Sequence, residues 1–225
     1  MKAIILAAGV GNRLQPYTTL IPKPLLPVGG KPCITYIIER LEKLDLTEII
    51  VCVNIDNLEQ FKHELRDKIV TFSTSTQALG TAGEILNCKQ LLDEDFIVHY
   101  ADELTNIDYT RLIRSYYKNK GYGTLAILKK FPLPVGSVNI HKNKINSFRE
   151  KQKLKINFWV GIGILNRIIL DEMKIGDDLA IDIFPKIISQ GKNLYAELFD
   201  REWIDIGNIS RYKHAIFLAN KGLIK

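Results

Sequence analysis

The sequence predicts an α/β domain on a mixed, mainly parallel central sheet flanked by helices. Three observations lead there. Short, continuous apolar runs recur in the first hundred residues, as buried parallel strands require. Segments of helical period separate them, which gives crossover connections. After residue 120 the strands follow one another with little helix between, so antiparallel pairs are expected in the second half.

Taken in order, AIIL (3–6), EIIVCV (48–53) and DFIVHYAD (95–102) read as buried strands. Between the first two lies PCITYIIERLEKL (32–44). Its Ile34, Ile37, Ile38, Leu41 and Leu44 recur at helical spacing, and Pro32 suits a first turn. NLEQFKHEL (57–65) is a second helix, followed by a short strand IVTF (69–72). GTAGEILNCKQLL (80–92) is a helix entered through a glycine turn, and YTRLIRSYYKN (109–119) is amphipathic. TLAILKKF (124–131), GSVNI (136–140), KINSF (144–148) and FWVGIGIL (158–165) are strands. A helix over 179–191, a strand over 193–199 and a terminal helix over 210–222 complete the chain. No repeat, low-complexity segment or flexible linker interrupts it, so residues 1–225 are expected to form one domain.

Composition narrows the function classes. Of 225 residues, 46% are hydrophobic and 25% charged, as in globular proteins. No apolar stretch approaches the roughly 18 residues of a membrane span, and IILAA is too short for a signal peptide. A cytoplasmic protein without membrane attachment is expected. Cys33, Cys52 and Cys88 lack CxxC spacing and read as buried free thiols. Residues 1–100 carry a net charge of −2, residues 101–155 carry +8 and residues 156–225 carry none. The basic segment lacks the interleaved aromatics of a nucleic-acid platform. A rim around a small polyanion fits it at least as well, so no nucleic-acid partner is expected.

Five stretches carry chemistry. LAAGVGNRL (6–14) follows a strand, and its glycines let backbone N–H groups converge on an anion. It is neither the dinucleotide fingerprint, since position 14 is Leu14, nor a Walker loop. Arg13 adds a fixed fork of donors suited to phosphate. Taken alone, the stretch serves equally as a tight strand-to-helix turn. In IPKPLLPVGGKP, Pro22 and Pro24 stiffen the chain around Lys23, which aims one ammonium or makes a rigid surface loop. QALGTAGE (77–84) offers small side chains against which a flat base fits, or a helix start capped by Thr81. Asp102 in VHYADEL stands at a strand's C-terminal end, where α/β sheets bind ligands; it is a candidate magnesium ligand or a helix cap. Asp205 in REWIDIGN is a second such carboxylate or ordinary turn chemistry.

In order and spacing, LAAGVGNRLQPYTTLIPKPLLPV, QALGTAG, HYADEL, FREK and WIDIGN resemble the sugar-1-phosphate nucleotidylyltransferases, from Met1 to about Ala219. These enzymes join a nucleoside triphosphate to a sugar 1-phosphate and release pyrophosphate. The resemblance implies a Rossmann-like nucleotide-diphospho-sugar transferase fold. It places Leu6, Ala7, Ala8, Gly9, Gly11, Asn12, Gln77, Gly80 and Thr81 at the nucleotide. Within that set, Gly9 and Gly11 belong to the phosphate loop, with Ala8 and Gly9 near the base, while Gln77 and Gly80 contact the base. Arg13 would hold the outgoing pyrophosphate and Lys23 the α-phosphate. Asp102 and Asp205 would bind Mg2+, with Asp102 also at the substrate. Gly136 would line the sugar pocket, Glu150 hold a sugar hydroxyl and Lys151 the sugar phosphate. Histidines 63, 99, 141 and 214 need no catalytic role.

The chain departs from the family pattern at Asn12, Ala101, Val135, Gln152, Trp159, Val160 and Asn208. Several of these fall at the sugar side, so the reaction type is better defined than the acceptor. A cytidylyltransferase for a phosphorylated alcohol such as phosphocholine, and a non-catalytic nucleotide-binding regulator, are the alternatives. Many relatives carry a C-terminal left-handed β-helix; because the sequence ends soon after its terminal helix, none is expected here. A stand-alone transferase, monomeric or homo-oligomeric, is expected.

Overall fold

In the computed structural model, all residues are described except Asp93, Leu133, Pro134, Lys151 and Lys225. The strands are β1 (Lys2–Leu6), β2 (Pro27–Val28), β3 (Lys31–Pro32), β4 (Glu48–Asn54), β5 (Thr71–Ser75), β6 (Asp95–Tyr100), β7 (Glu103–Thr105), β8 (Gly123–Pro132), β9 (Ser137–His141), β10 (Lys144–Arg149), β11 (Lys153–Asn166), β12 (Leu194–Phe199) and β13 (Trp203–Asp205). The α-helices are α1 (Cys33–Leu41), α2 (Leu58–Glu64), α3 (Gly80–Asn87), α4 (Tyr109–Asn119), α5 (Phe184–Ser189) and α6 (Ile209–Asn220).

Seven strands form the main sheet in the order β12-β8-β11-β6-β1-β4-β5. β1 runs parallel to β4 and β6, β4 to β5, and β12 to β8, while β11 is antiparallel to both β6 and β8. The sheet is therefore mixed and mainly parallel, as expected. Its core lies on both faces. Ala3 and Ile5 of β1 join one apolar cluster, and Ile4 and Leu6 join the other. That alternation explains why AIIL is apolar throughout: both faces are covered.

Leu6 is in register with Cys52 on one side and Tyr100 on the other. β1 and β6 thus end at one level, β4 runs two residues further to Asn54, and the loops leaving them share one edge. Such an edge of an α/β sheet is where a ligand crevice forms. Caps fix the helices beyond it. Asp108 accepts the Arg111 N–H at 3.0 Å to start α4, and Asn208 accepts the Arg211 N–H at 3.0 Å to start α6. The latter gives Asn208, one of the departures, a structural role.

Several boundaries differ from the sequence reading. α1 begins after Pro32 and ends at Leu41. The helix predicted over 80–92 stops at Asn87, and a 3-10 turn covers Lys89–Leu91. The helix predicted over 179–191 opens as a π turn, Leu179–Ile183, with Ile183 N–H bonded to the Asp178 carbonyl at 3.2 Å, before α5. Pro185 has no N–H for the regular ladder there. The strand predicted over 69–72 lies at 71–75, because pairing with β4 sets its register and leaves Ile69 out in solvent. The predicted strand 158–165 is part of the longer β11, which keeps its pairing with β8 through two register shifts. No sequence signal marked β7 and β13, which pair antiparallel. Among the described residues, no helix is long and apolar enough to cross a membrane.

Candidate functional site

The loop after β1 folds back on the Pro-Lys-Pro segment. Gly11 adopts φ +70°, and a Cβ there would stand 3.0 Å from Lys23 Cβ and 3.2 Å from Thr18 Cγ2. Glycine is needed both for that backbone and for that approach. Thr18 Oγ1 donates to the Gly11 carbonyl at 3.0 Å, and buried Leu14 anchors the turn that presents Arg13 to solvent. Lys23 opens a 3-10 turn whose Pro24 and Leu25 are buried. Its ammonium pairs with Asp102, directly beyond the end of β6.

The β7–β13 ribbon brings Asp205 to the backbone beside Asp102, although Asp205 itself does not line the cavity that Arg13, Lys23 and Asp102 line. Glu103 is opposite Asp205 in that ribbon, and the Ile206 N–H donates to the Asp102 carbonyl at 3.1 Å. The Gly207 N–H donates to Asp205 Oδ1 at 2.7 Å, and the Arg211 guanidinium pairs with Oδ2. A Cβ on Gly207 would stand 3.7 Å from Arg13 Nη2, so the arginine of the first loop lies over the end of the WIDIGN segment. Glu103 is held by the Trp203 indole N–H, and burial together with Asp102 and Asp205 pushes its acid well up. Neither aspartate caps a helix; Asp205 does make the expected turn.

Among the described residues, no three carboxylates, histidines or cysteines form a ready metal cage. Asp102 and Asp205 nevertheless fit magnesium, which takes one or two hard carboxylates and fills its shell with water and substrate phosphate. Both now face cations that a phosphate could draw away.

A cavity of about 260 Å3 opens at this edge. The first loop lines it with Leu6, Ala7, Gly9, Gly11, Asn12 and Arg13. Lys23, Thr81 and Asp102 line it as well. Sequence reasoning missed Pro24, Glu84, Tyr100, Ala101 and Gly207 as lining residues. Pro24 and Ala101 adjoin expected site residues, and Tyr100 and Gly207 lie two positions from Asp102 and Asp205, so these four were within reach. Glu84 was not, since a glutamate in an amphipathic helix reads as solvated.

The remaining expected residues divide. The Ala8 backbone N–H lies toward the carboxyl of Glu84 beside the cavity. Gly80, at φ +71°, lies against the 176–177 turn, where a Cβ would stand 2.7 Å from the Gly176 carbonyl oxygen. Thr81 is not a cap: its hydroxyl accepts the Leu179 N–H at 2.8 Å and donates to Asp178 at 3.0 Å, inside α3. Gln77 is exposed and off the cavity wall. Gly136 and Glu150 meet each other on the exposed hairpin of β9 and β10, 3.0 Å from a Gly136 Cβ to Glu150 Oε2, and neither lines the cavity. Lys151 lies outside the described residues. His63, His141 and His214 are exposed; His99 is buried with Nδ1 2.8 Å from the Tyr100 carbonyl oxygen.

Two cations facing a carboxylate across a glycine loop suit an α/β protein that holds a polyphosphate. Comparison with known proteins makes that class specific. Residues 2–221 match the Nucleotidyl transferase family, and the chain belongs to it. It is 32% identical to the UTP–glucose-1-phosphate uridylyltransferase of Synechocystis sp., over 96% of this chain and 62% of that protein. It is 32% identical to a probable mannose-1-phosphate guanylyltransferase of Oryza sativa, over 94% of this chain and 63% of that protein. The chain thus spans somewhat less than two thirds of these relatives' length. Among solved structures, HddC from Yersinia pseudotuberculosis superposes with a TM-score of 0.75 at 26% identity, covering 96% of this chain and 98% of the other.

Proposed function

We propose that the protein transfers a nucleotidyl group from a nucleoside triphosphate to a sugar 1-phosphate, releasing pyrophosphate. The observation that carries this reading is the meeting of Arg13, Lys23 and Asp102 around one cavity with the glycine loop. Relatives named as uridylyl- and guanylyltransferases support it.

The attacking group is a phosphate oxygen of the sugar 1-phosphate. It bonds to the α-phosphorus in line, the α–β P–O bond breaks, and pyrophosphate leaves with the electron pair. The second pKa of a phosphate monoester is about 6, so the attacking oxygen is already ionised at neutral pH. No protein nucleophile and no general base are required.

What the reaction needs is relief of repulsion between two anions. Lys23 supplies a fixed positive charge, here held by Asp102, for the α-phosphate. Arg13 supplies a forked donor for the departing pyrophosphate. The glycine loop offers backbone N–H groups with no side chain to block approach. Asp102 and Asp205 would hold a divalent cation such as magnesium, whose charge offsets that of the phosphates.

The test is a panel: four nucleoside triphosphates against sugar 1-phosphates and phosphocholine with magnesium, read as pyrophosphate release. Release with a sugar 1-phosphate is expected. Release only with phosphocholine would replace the sugar by an alcohol phosphate, and binding without release would mark a regulator.

A further inference from the structure

Glu84 has no place in the chemistry above, yet it lines the cavity. It sits on the second turn of α3 and is only 9% exposed. Its Oε2 is buried and has no hydrogen-bond partner. Among the described residues, the Ala8 N–H of the first loop approaches the carboxyl, and no lysine, arginine or histidine forms an ion pair with it. Leaving a buried carboxyl half-satisfied is costly, and an apolar residue would fill the same space without that cost. A ligand group that completes its hydrogen bonds accounts for its presence.

The position says which part of a nucleotide that is. Arg13 and Lys23 serve the anionic end of the cavity, whereas a carboxyl beside phosphate would repel it. Glu84 lies by Ala8, before the glycines, and neither Arg13 nor Lys23 is among the groups that act on its carboxyl. Leu6 and Ala7 beside it have no polar side-chain atoms. They suit the faces of a planar base and would leave ribose hydroxyls unpaired.

We propose that Glu84 reads the nucleotide base, its carboxyl presenting a donor and an acceptor to the base edge. The inference rests on the nucleotidyl-transfer reading and deepens it by naming a specificity residue. Burial pushes the acid up to about 8, which keeps the neutral, donor-and-acceptor form in place at neutral pH. An amide would present the same pair of functions, and a methyl group neither.

The experiment is equilibrium binding, with magnesium, of the four ribonucleoside triphosphates, their 2′-deoxy forms and inorganic triphosphate to the full chain, Glu84→Gln and Glu84→Ala. The intact chain is expected to prefer one base. Glu84→Ala should weaken that nucleotide by at least about tenfold and flatten the preference among the four, because the base is left unpaired. Glu84→Gln should stay within about threefold. Inorganic triphosphate should bind all three proteins alike, and the melting temperature of Glu84→Ala should not fall. An equal loss for all four bases would overturn the proposal. So would an unchanged preference, or lost discrimination of ribose from deoxyribose in place of base preference. If the intact chain binds inorganic triphosphate but no base selectively, Glu84 reads nothing. If it binds neither, the nucleotidyl-transfer reading falls with it.

Discussion

Lys23 and Asp102, 79 residues apart in the chain, form a partly buried ion pair at the cavity, with side chains 13% and 23% exposed. Each fixes the other where a phosphate would bridge or displace them. Lys23→Ala is therefore expected to lower kcat by at least about a hundredfold and to change KM less, as a group acting on developing charge does. Steady-state kinetics at saturating magnesium measure it. An effect confined to KM would make Lys23 a ground-state binding group.

Asp102→Ala and Asp205→Ala should each abolish magnesium-dependent turnover while circular dichroism and melting show the fold intact. Asp102 holds Lys23, and Asp205 organises Gly207 and Arg211, so a small loss of melting temperature is expected for each. Near-normal turnover across a magnesium titration in either variant would refute that metal site.

Gly9 and Gly80 separate the two uses of glycine. A Cβ at Gly9 meets nothing within 4 Å, whereas at Gly80 it meets the 176–177 backbone, at φ +71°. Gly80→Ala should cost more than about 1 kcal/mol of stability. Gly9→Ala should leave stability nearly unchanged and lower turnover, because the added methyl occupies the path of the phosphates. Urea unfolding paired with kinetics distinguishes them.

Much of this was legible in the sequence, and the limits are physical. β1, β4 and β6 announce themselves because both of their faces are buried, which leaves unbroken apolar runs. The loop with Arg13 and Lys23 is legible because it is local: Gly11 packs on Lys23 only twelve positions on. The approach of Asp205 to Asp102 depends on the three-residue ribbon of β7 and β13, too short and too distant in sequence to leave a pattern. Gly80 reads as a base contact and Thr81 as a nucleotide-site residue or a helix cap, yet both are also engaged with the 176–179 segment, which no local rule connects to them. Glu84 was hidden because a glutamate in an amphipathic helix reads as solvated, whereas here it is buried with its neighbours Ala82, Gly83 and Ile85.

His99 gives a pH signature. Burial pushes its imidazole down to about 4 from an ordinary value of 6.5. The native state therefore holds fewer protons than the unfolded one between those values. The stability contributed by neutral His99 is full above about pH 6.5 and is lost as pH falls toward 4. Urea midpoints at pH 7, 5.5 and 4.5 should drop more steeply for the intact chain than for His99→Gln. Parallel slopes would show that the ring is protonated without penalty.

The central claim is that the α-phosphate passes from a nucleoside triphosphate directly to a sugar phosphate. Tracing an isotopic label on the α-phosphate, in the presence of magnesium and a sugar 1-phosphate, tests it most directly. The label should appear in a nucleoside diphosphate sugar, in step with unlabelled pyrophosphate. Label recovered only in nucleoside monophosphate, whatever acceptor is supplied, would contradict it.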